Sequence, residues 1–160
     1  MGLLIECIVL CLLMWLICFI GTGTDDKNLK SFKSYPLKVQ EMIRKDNRYK
    51  GKYNNPSEIK SFVSNLIMFS IIILIFGFFI VQDGFIKNFV ALLILGQVLN
   101  IFDLLVIDLL WWRNSKRVRF KSIDNAELYK DPKKHIESFL KALVMFTLVA
   151  LIDGFILSIL

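Results

Sequence analysis

Histidine is almost missing from this 160-residue chain: His135 stands alone, and there are only three cysteines and three prolines. A lone histidine and three cysteines clustered between residues 7 and 18 do not have the ligand spacing of a zinc site, and no phosphate-cradling glycine motif occurs. Those cysteines share one predicted helix, so they cannot form a disulfide framework. Charge is also thin, 21% against ~25% in soluble domains. Nothing basic precedes the first apolar block, and Ile17-Cys18-Phe19-Ile20 is too bulky for a secretory or lipoprotein cleavage site. Glu6 stands where N-myristoylation needs Ser or Thr. The first block therefore reads as a retained helix, with a signal anchor as the alternative.

Apolar residues are present in excess, 56% of the chain with mean hydropathy +0.59. They fall in four blocks, residues 3–20, 59–81, 89–112 and 136–160. Each approaches the ~20 helical residues that cross a ~30 Å hydrocarbon core. The 38 residues of 21–58 and the 23 of 113–135 read as too short and too polar to bury a core of their own. The expected fold is an all-α, integral membrane four-helix bundle, one membrane domain over residues 1–160.

The net charge of +6 acts here as a topology signal, not a nucleic-acid footprint. Residues 21–58 hold nine Lys/Arg against five acids, and residues 113–135 eight against three. Cytoplasmic loops carry the Lys/Arg excess. Both loops are then cytoplasmic and both termini outside, as an even number of spans requires. Within the first loop, Pro36 opens a short helix whose apolar Leu37, Val39, Met42 and Ile43 would lie on the inner leaflet or fluctuate in solvent. Asn55 before Pro56, and Asp131 before Pro132, are helix starts.

Polar residues inside spans are costly and mark either function or packing. Gln97, Asn100, Asp103 and Asp108 fall within an arc of about 140° on the third span, the face expected to look into the bundle. Asp108 and Lys141 each lie about 6 Å into their spans, which suggests an ion pair. Asp103 is about 13 Å in with no base at its level, so it is either an ionisable functional site or a bonded structural residue. Glu6 and Asp153 reach a similar outer depth, where they share a site or sit apart. Arg113, Lys116, Arg117 and Arg119 follow the third span as a basic surface for anionic headgroups. His135 reads as an interfacial or capping residue. Cys7, Cys11, Cys18 and Met14 share one helical stripe, either a soft-ligand ladder or a packing face; no metal or other cofactor is expected.

The spacing Asn100-x2-Asp103-x4-Asp108 does not fit the N-x3-D-x3-D pattern of membrane prenyltransferases, and the paired motifs of CDP-alcohol phosphotransferases are missing. Asn100-Ile101-Phe102-Asp103, Ile107-Asp108-Leu109-Leu110-Trp111, Lys116-Arg117-Val118-Arg119, Tyr129 and His135, with Tyr35-Pro36 and Gln40-Glu41, together resemble a group of small four-helix bacterial membrane proteins without an assigned role. Some of that group are labelled transporter permeases. Phe120-Lys121-Ser122 departs from the Pro-Gly-Thr typical of that position. The resemblance implies a bacterial cytoplasmic membrane and supplies no activity.

Three classes of function remain open. The leading one is a non-enzymatic binding or auxiliary membrane component, homo-oligomeric or part of a larger complex, with lipid and not nucleic acid as its partner. The second is a proton- or cation-linked transporter or channel using the acidic stripe. The third is a lipid-headgroup enzyme using Asp108, His135 and the arginines. No catalytic set is evident.

Overall fold

In a computed structural model that describes residues 2–160, the chain is all-helical, and no strand forms among the described residues. The six α-helices are α1 (Gly2–Ile20), α2 (Asp25–Lys30), α3 (Leu37–Lys45), α4 (Glu58–Gly77), α5 (Phe85–Phe102) and α6 (Lys133–Ile159). Between α5 and α6 the chain winds as a π-helix over Asp103–Trp111 and then makes short 3-10 turns. Four helical stretches are long and apolar enough to cross a membrane: Gly2–Ile20, Glu58–Gly77, Phe85–Asn114 and Ala126–Ile159. The four expected apolar helices are therefore present, the third stretch beginning four residues and the fourth ten residues earlier than the apolar runs suggested.

The chain forms two compact units. The first comprises Met1–Leu13, Pro56–Phe102 and Phe139–Leu160. Glycines let its helices come close, as small residues do where lipid supplies no hydrophobic drive between helices. A Cβ on Gly154 would meet the backbone N and Cα of Phe89 at 3.0 Å, and one on Gly96 would meet the Phe146 ring at 2.8 Å. Polar side chains complete the packing: Gln97 Nε2 donates to Leu143 O at 3.0 Å and Asn100 Nδ2 to Phe139 O at 3.3 Å. The α4 cap is Ser57, whose hydroxyl accepts from Lys60 N at 3.2 Å, and not the expected Asn55. Ser57 is the last extended residue before Glu58, so it holds the N-cap position. Asp131 does serve the start of α6, accepting from Lys133 N at 3.1 Å.

The second unit comprises Met14–Asn55 and Asp103–Ser138. Its core overturns the expectation that the two loops bury none. Leu29, Phe32, Tyr35, Val39 and Ile43 from one segment and Trp112, Val118, Phe120 and Tyr129 from the other form one buried cluster. Neither segment has enough apolar surface alone; pooled, they do. Tyr35 is the hub, with its ring centroid 4.9 Å from Trp112, 5.1 Å from Phe120 and 6.0 Å from Tyr129. Such ring pairs add ~0.5–1.5 kcal/mol each beyond their area. The Tyr35 hydroxyl donates to Val118 O at 2.8 Å, and that of Tyr129 donates to Ile123 O at 2.9 Å while accepting from Phe120 N at 3.1 Å.

The α3 face behaves differently from the expected membrane-surface helix. Val39 and Ile43 are fully buried in this core, while Leu37 and Met42 stay exposed. Gln40, also buried, donates to Tyr35 O at 2.7 Å and ties the helix to the hub.

Candidate functional site

The candidate site lies in the second unit, where the third span ends. From Asp103 to Trp111 the backbone is a π-helix, whose i→i+5 bonding is rare and frequently found at functional sites. Asp108 lies in this segment and Trp112 just beyond it. His135 stands in the first turn of α6, started by the Asp131 cap. Its Nδ1 donates to Asp108 Oδ2 at 2.9 Å, since a carboxylate can only accept. The Trp112 ring meets the imidazole edge-on at a centroid distance of 4.8 Å. The histidine side chain is 3% exposed and that of Asp108 15%.

This arrangement fixes one tautomer. With the proton on Nδ1 held by Asp108, a neutral His135 presents the lone pair of Nε2. Nε2 is buried and meets no hydrogen-bond partner among the described residues. Chemically, the pair is a carboxylate-oriented base, two of the three parts of an activated-nucleophile set. No hydroxyl or thiol bonds to Nε2, so the third part is not assembled here.

The arginines surround the exit of the span, and their roles differ. Arg117 lies over the Phe19 ring at 4.0 Å and donates from Nη2 to Phe19 O and Thr22 O, both at 3.1 Å. It thereby satisfies carbonyls at the C-terminus of α1, where a cation also suits the helix dipole. Gly23, with φ +107°, leaves room for it: a Cβ there would meet Nη2 at 2.8 Å. Arg117 is thus a structural clasp more than the lipid-facing base expected. Arg119 approaches Asp124 at 3.8 Å, Arg113 is half-buried, and Lys116 is exposed.

Burial sets the tyrosines of this unit. It pushes the Tyr129 phenol up to about 12, and that of Tyr35 above the ordinary range, because neither ring can hold an unscreened phenolate. Burial, then the Asp25 carboxylate bonded at 2.6 Å, raises Tyr49. On the surface, the hydrogen bonds from Arg48 hold Asp46 below the usual carboxylate range.

The four-residue polar stripe does not act as one. Gln97 and Asn100 are spent on the α6 backbone, as described above. Asp103 is half-buried and makes neither a hydrogen bond nor an ion pair among the described residues, and Asp108 belongs to His135. The wheel that joined them assumed α-helical winding throughout, and the π-helix beginning at Asp103 breaks that register. Of the expected Asp108–Lys141 pair, each member has a bonded partner within its own unit. Lys141 meets Glu58 at 3.0 Å, while the partner of Asp108 lies six residues nearer the start of α6. Depth alone favoured a lysine over the histidine that α6 carries in its first turn.

In the first unit, Asp153 is fully buried and accepts from Ser70 Oγ, with Oδ2 unpartnered among the described residues. Glu6 is half-buried and makes no pair with it. Cys7 and Cys11 are buried and free, as a packing stripe is, and no group of three or more His, Cys, Asp or Glu among the described residues has the geometry to hold a metal ion. His135 was read as an interfacial or capping residue, and stood beside Asp108 only in the headgroup-enzyme class; its direct bond to Asp108 was not expected. No protein family, no curated protein and no solved structure matches the chain.

Proposed function

We propose that this chain is a four-span protein of a bacterial cytoplasmic membrane, both termini outside, whose second unit faces the cytoplasm and binds anionic phospholipid headgroups without transforming them. The observation that carries this reading is the division of charge. The second unit holds seventeen of the twenty Lys/Arg and ten of the fourteen Asp/Glu, a net +7, while the first unit is at −1. That excess agrees with the positive-inside rule. Exposed bases on both segments, among them Lys27, Lys30, Lys45, Lys50, Lys116, Lys121 and Lys133, are each drawn to an anionic leaflet by ~1 kcal/mol. The aromatic core keeps these bases on a folded scaffold instead of a loose loop, so less entropy is lost on binding.

The test is reconstitution into nanodiscs of pure phosphatidylcholine or of a mixture with phosphatidylglycerol, followed by thermal unfolding and native mass spectrometry. Anionic lipid should raise Tm and co-purify, and the difference should shrink with salt. Equal stability and equal lipid retention in both would overturn the reading.

A second reading, proton- or cation-linked transport, is favoured by one observation: Asp103 is a half-buried carboxylate with no hydrogen-bond or ion-pair partner among the described residues. Liposome flux separates the two. Asp103→Asn keeps shape but cannot ionise, so unchanged flux in that variant would remove Asp103 from any transport role.

A further inference from the structure

α4 and α6 are clipped together at two levels, and only one clip contains a cation. The helices run parallel: Glu58 meets Lys141 and Ser70 meets Asp153, so twelve residues separate the clips on each helix, about 18 Å. At the first level both side chains are exposed and their charges offset each other. At the second, Asp153 is fully buried, and the chain offers it one donor, the Ser70 hydroxyl, at Oδ1. Its Oδ2 is buried and meets no partner among the described residues.

The surroundings supply no counter-charge. α4 presents Ser70 to Asp153, and α5 packs its Phe89 backbone against neighbouring Gly154. The other charged groups of the first unit are Glu6, Glu58, Lys60, Asp83, Lys87 and Lys141. Lys60, Asp83 and Lys87 are exposed, and Glu58 is paired with Lys141. Burial and the Ser70 bond, not a neighbouring charge or the Cys7 and Cys11 thiols, set the state of Asp153. An ionised carboxylate accepts about four hydrogen bonds, and here it would have one. A buried charge left so poorly met is strongly destabilising, and a group so placed becomes neutral instead.

We propose that Asp153 is a proton-binding site, and that the bound proton latches α4 to α6. Asn at this position would accept from Ser70 equally well and never ionise; what a carboxyl adds is a proton that can leave. While the proton is bound, the neutral acid keeps the Ser70 bond inside a dry core. When it passes to water, the carboxylate left behind needs donors that only water can bring. α4 is the least covered of the four spans, so it is the element that yields.

The test reads the full chain in lipid by infrared spectroscopy at about pH 6, where an ordinary carboxyl is ionised. A carboxylic-acid C=O band should be present and should lose intensity in Asp153→Asn. Ser70→Ala removes the one hydrogen bond and should shift the band without abolishing it. For the latch, Ile73→Cys, on the buried side of α4, is placed in a chain with Cys7→Ala, Cys11→Ala and Cys18→Ala and labelled with a membrane-permeant thiol reagent. Labelling should quicken as pH rises and the acid band fades, and should do so far less when the same chain carries Asp153→Asn. Ionisation of the thiol is common to both chains, so the ratio of the two rates isolates the latch. An acid band indifferent to both Asp153→Asn and Ser70→Ala would overturn the proposal. So would a rate ratio that stays constant as pH rises.

Discussion

Breaking the Asp108–His135 pair is the most direct way to probe the second unit. Replacing Asp108 by Leu leaves a histidine that is 3% exposed with its Nδ1 proton unmet; His135→Phe leaves a carboxylate that is 15% exposed without its donor. A hydrogen bond at 2.9 Å to a charged group contributes about 1.5–3 kcal/mol. At about 2–4 °C per kcal/mol for a chain of this size, each single change should lower Tm by about 3–12 °C. Phe at position 135 keeps the edge-on contact with Trp112, so packing loss stays small. The double variant removes both polar groups together and should fall well short of the summed single losses, a coupling of about 1.5–3 kcal/mol. The assay is a double-mutant cycle on thermal and denaturant unfolding in detergent, with Asp108→Asn as the conservative arm, keeping an acceptor oxygen and losing less. Additivity of the two single changes within about 0.5 kcal/mol would refute the reasoning, because independent sites behave that way.

Three further outcomes are expected. Gly154→Ala places a Cβ 3.0 Å from the Phe89 backbone, which cannot rotate aside, so stability should fall by about 1–3 kcal/mol in the same unfolding assay. In intact cells, a membrane-impermeant thiol reagent should reach a cysteine placed at Gly84 and miss cysteines placed at Lys50 or Lys121; labelling of either large loop from outside would reverse the proposed orientation. Tyr129 is raised by burial from about 10 to about 12, so the folded state holds its phenolic proton more tightly than the unfolded chain. Its contribution is full below pH 10 and is lost as pH climbs from 10 to 12. Tyrosinate absorbance should therefore lag that of the denatured chain across this window, and coincident titrations would contradict it.

The spans were legible because a run of some twenty apolar residues has few alternatives, whichever neighbours it later meets. The core of the second unit was not. Tyr35 and Val118 are 83 positions apart, and nothing local in either segment announces the other. The apolar residues of α3 were visible, but their destination was not: Val39 and Ile43 could face lipid or protein equally well until Phe32 and Phe120 were seen to surround them. At the candidate site, Asp108 was found from its placement inside a span, and its partner was misassigned. The helical wheel and the depth estimate share one assumption, uniform α-helical winding, and the π-helix at Asp103–Trp111 violates it.

The joint core has a bearing on how the chain is made. Its two halves, Met14–Asn55 and Asp103–Ser138, are separated in sequence by α4 and α5. With those helices inserted as proposed, they form a hairpin that returns the chain to the side it left, and only then can Tyr35 find Phe120 and Tyr129. A ribosome adding about 5–20 residues per second needs roughly 4–15 s to travel from Asn55 to Tyr129. During that interval Phe32, Tyr35 and Ile43 have no core to enter, and the clasp of Arg117 on α1 does not exist. With the helices inserted as proposed, the second unit would complete its core only after the hairpin has crossed. A chain whose hairpin failed to cross would strand the two halves on opposite sides, leaving the early segment permanently unfolded and open to proteolysis.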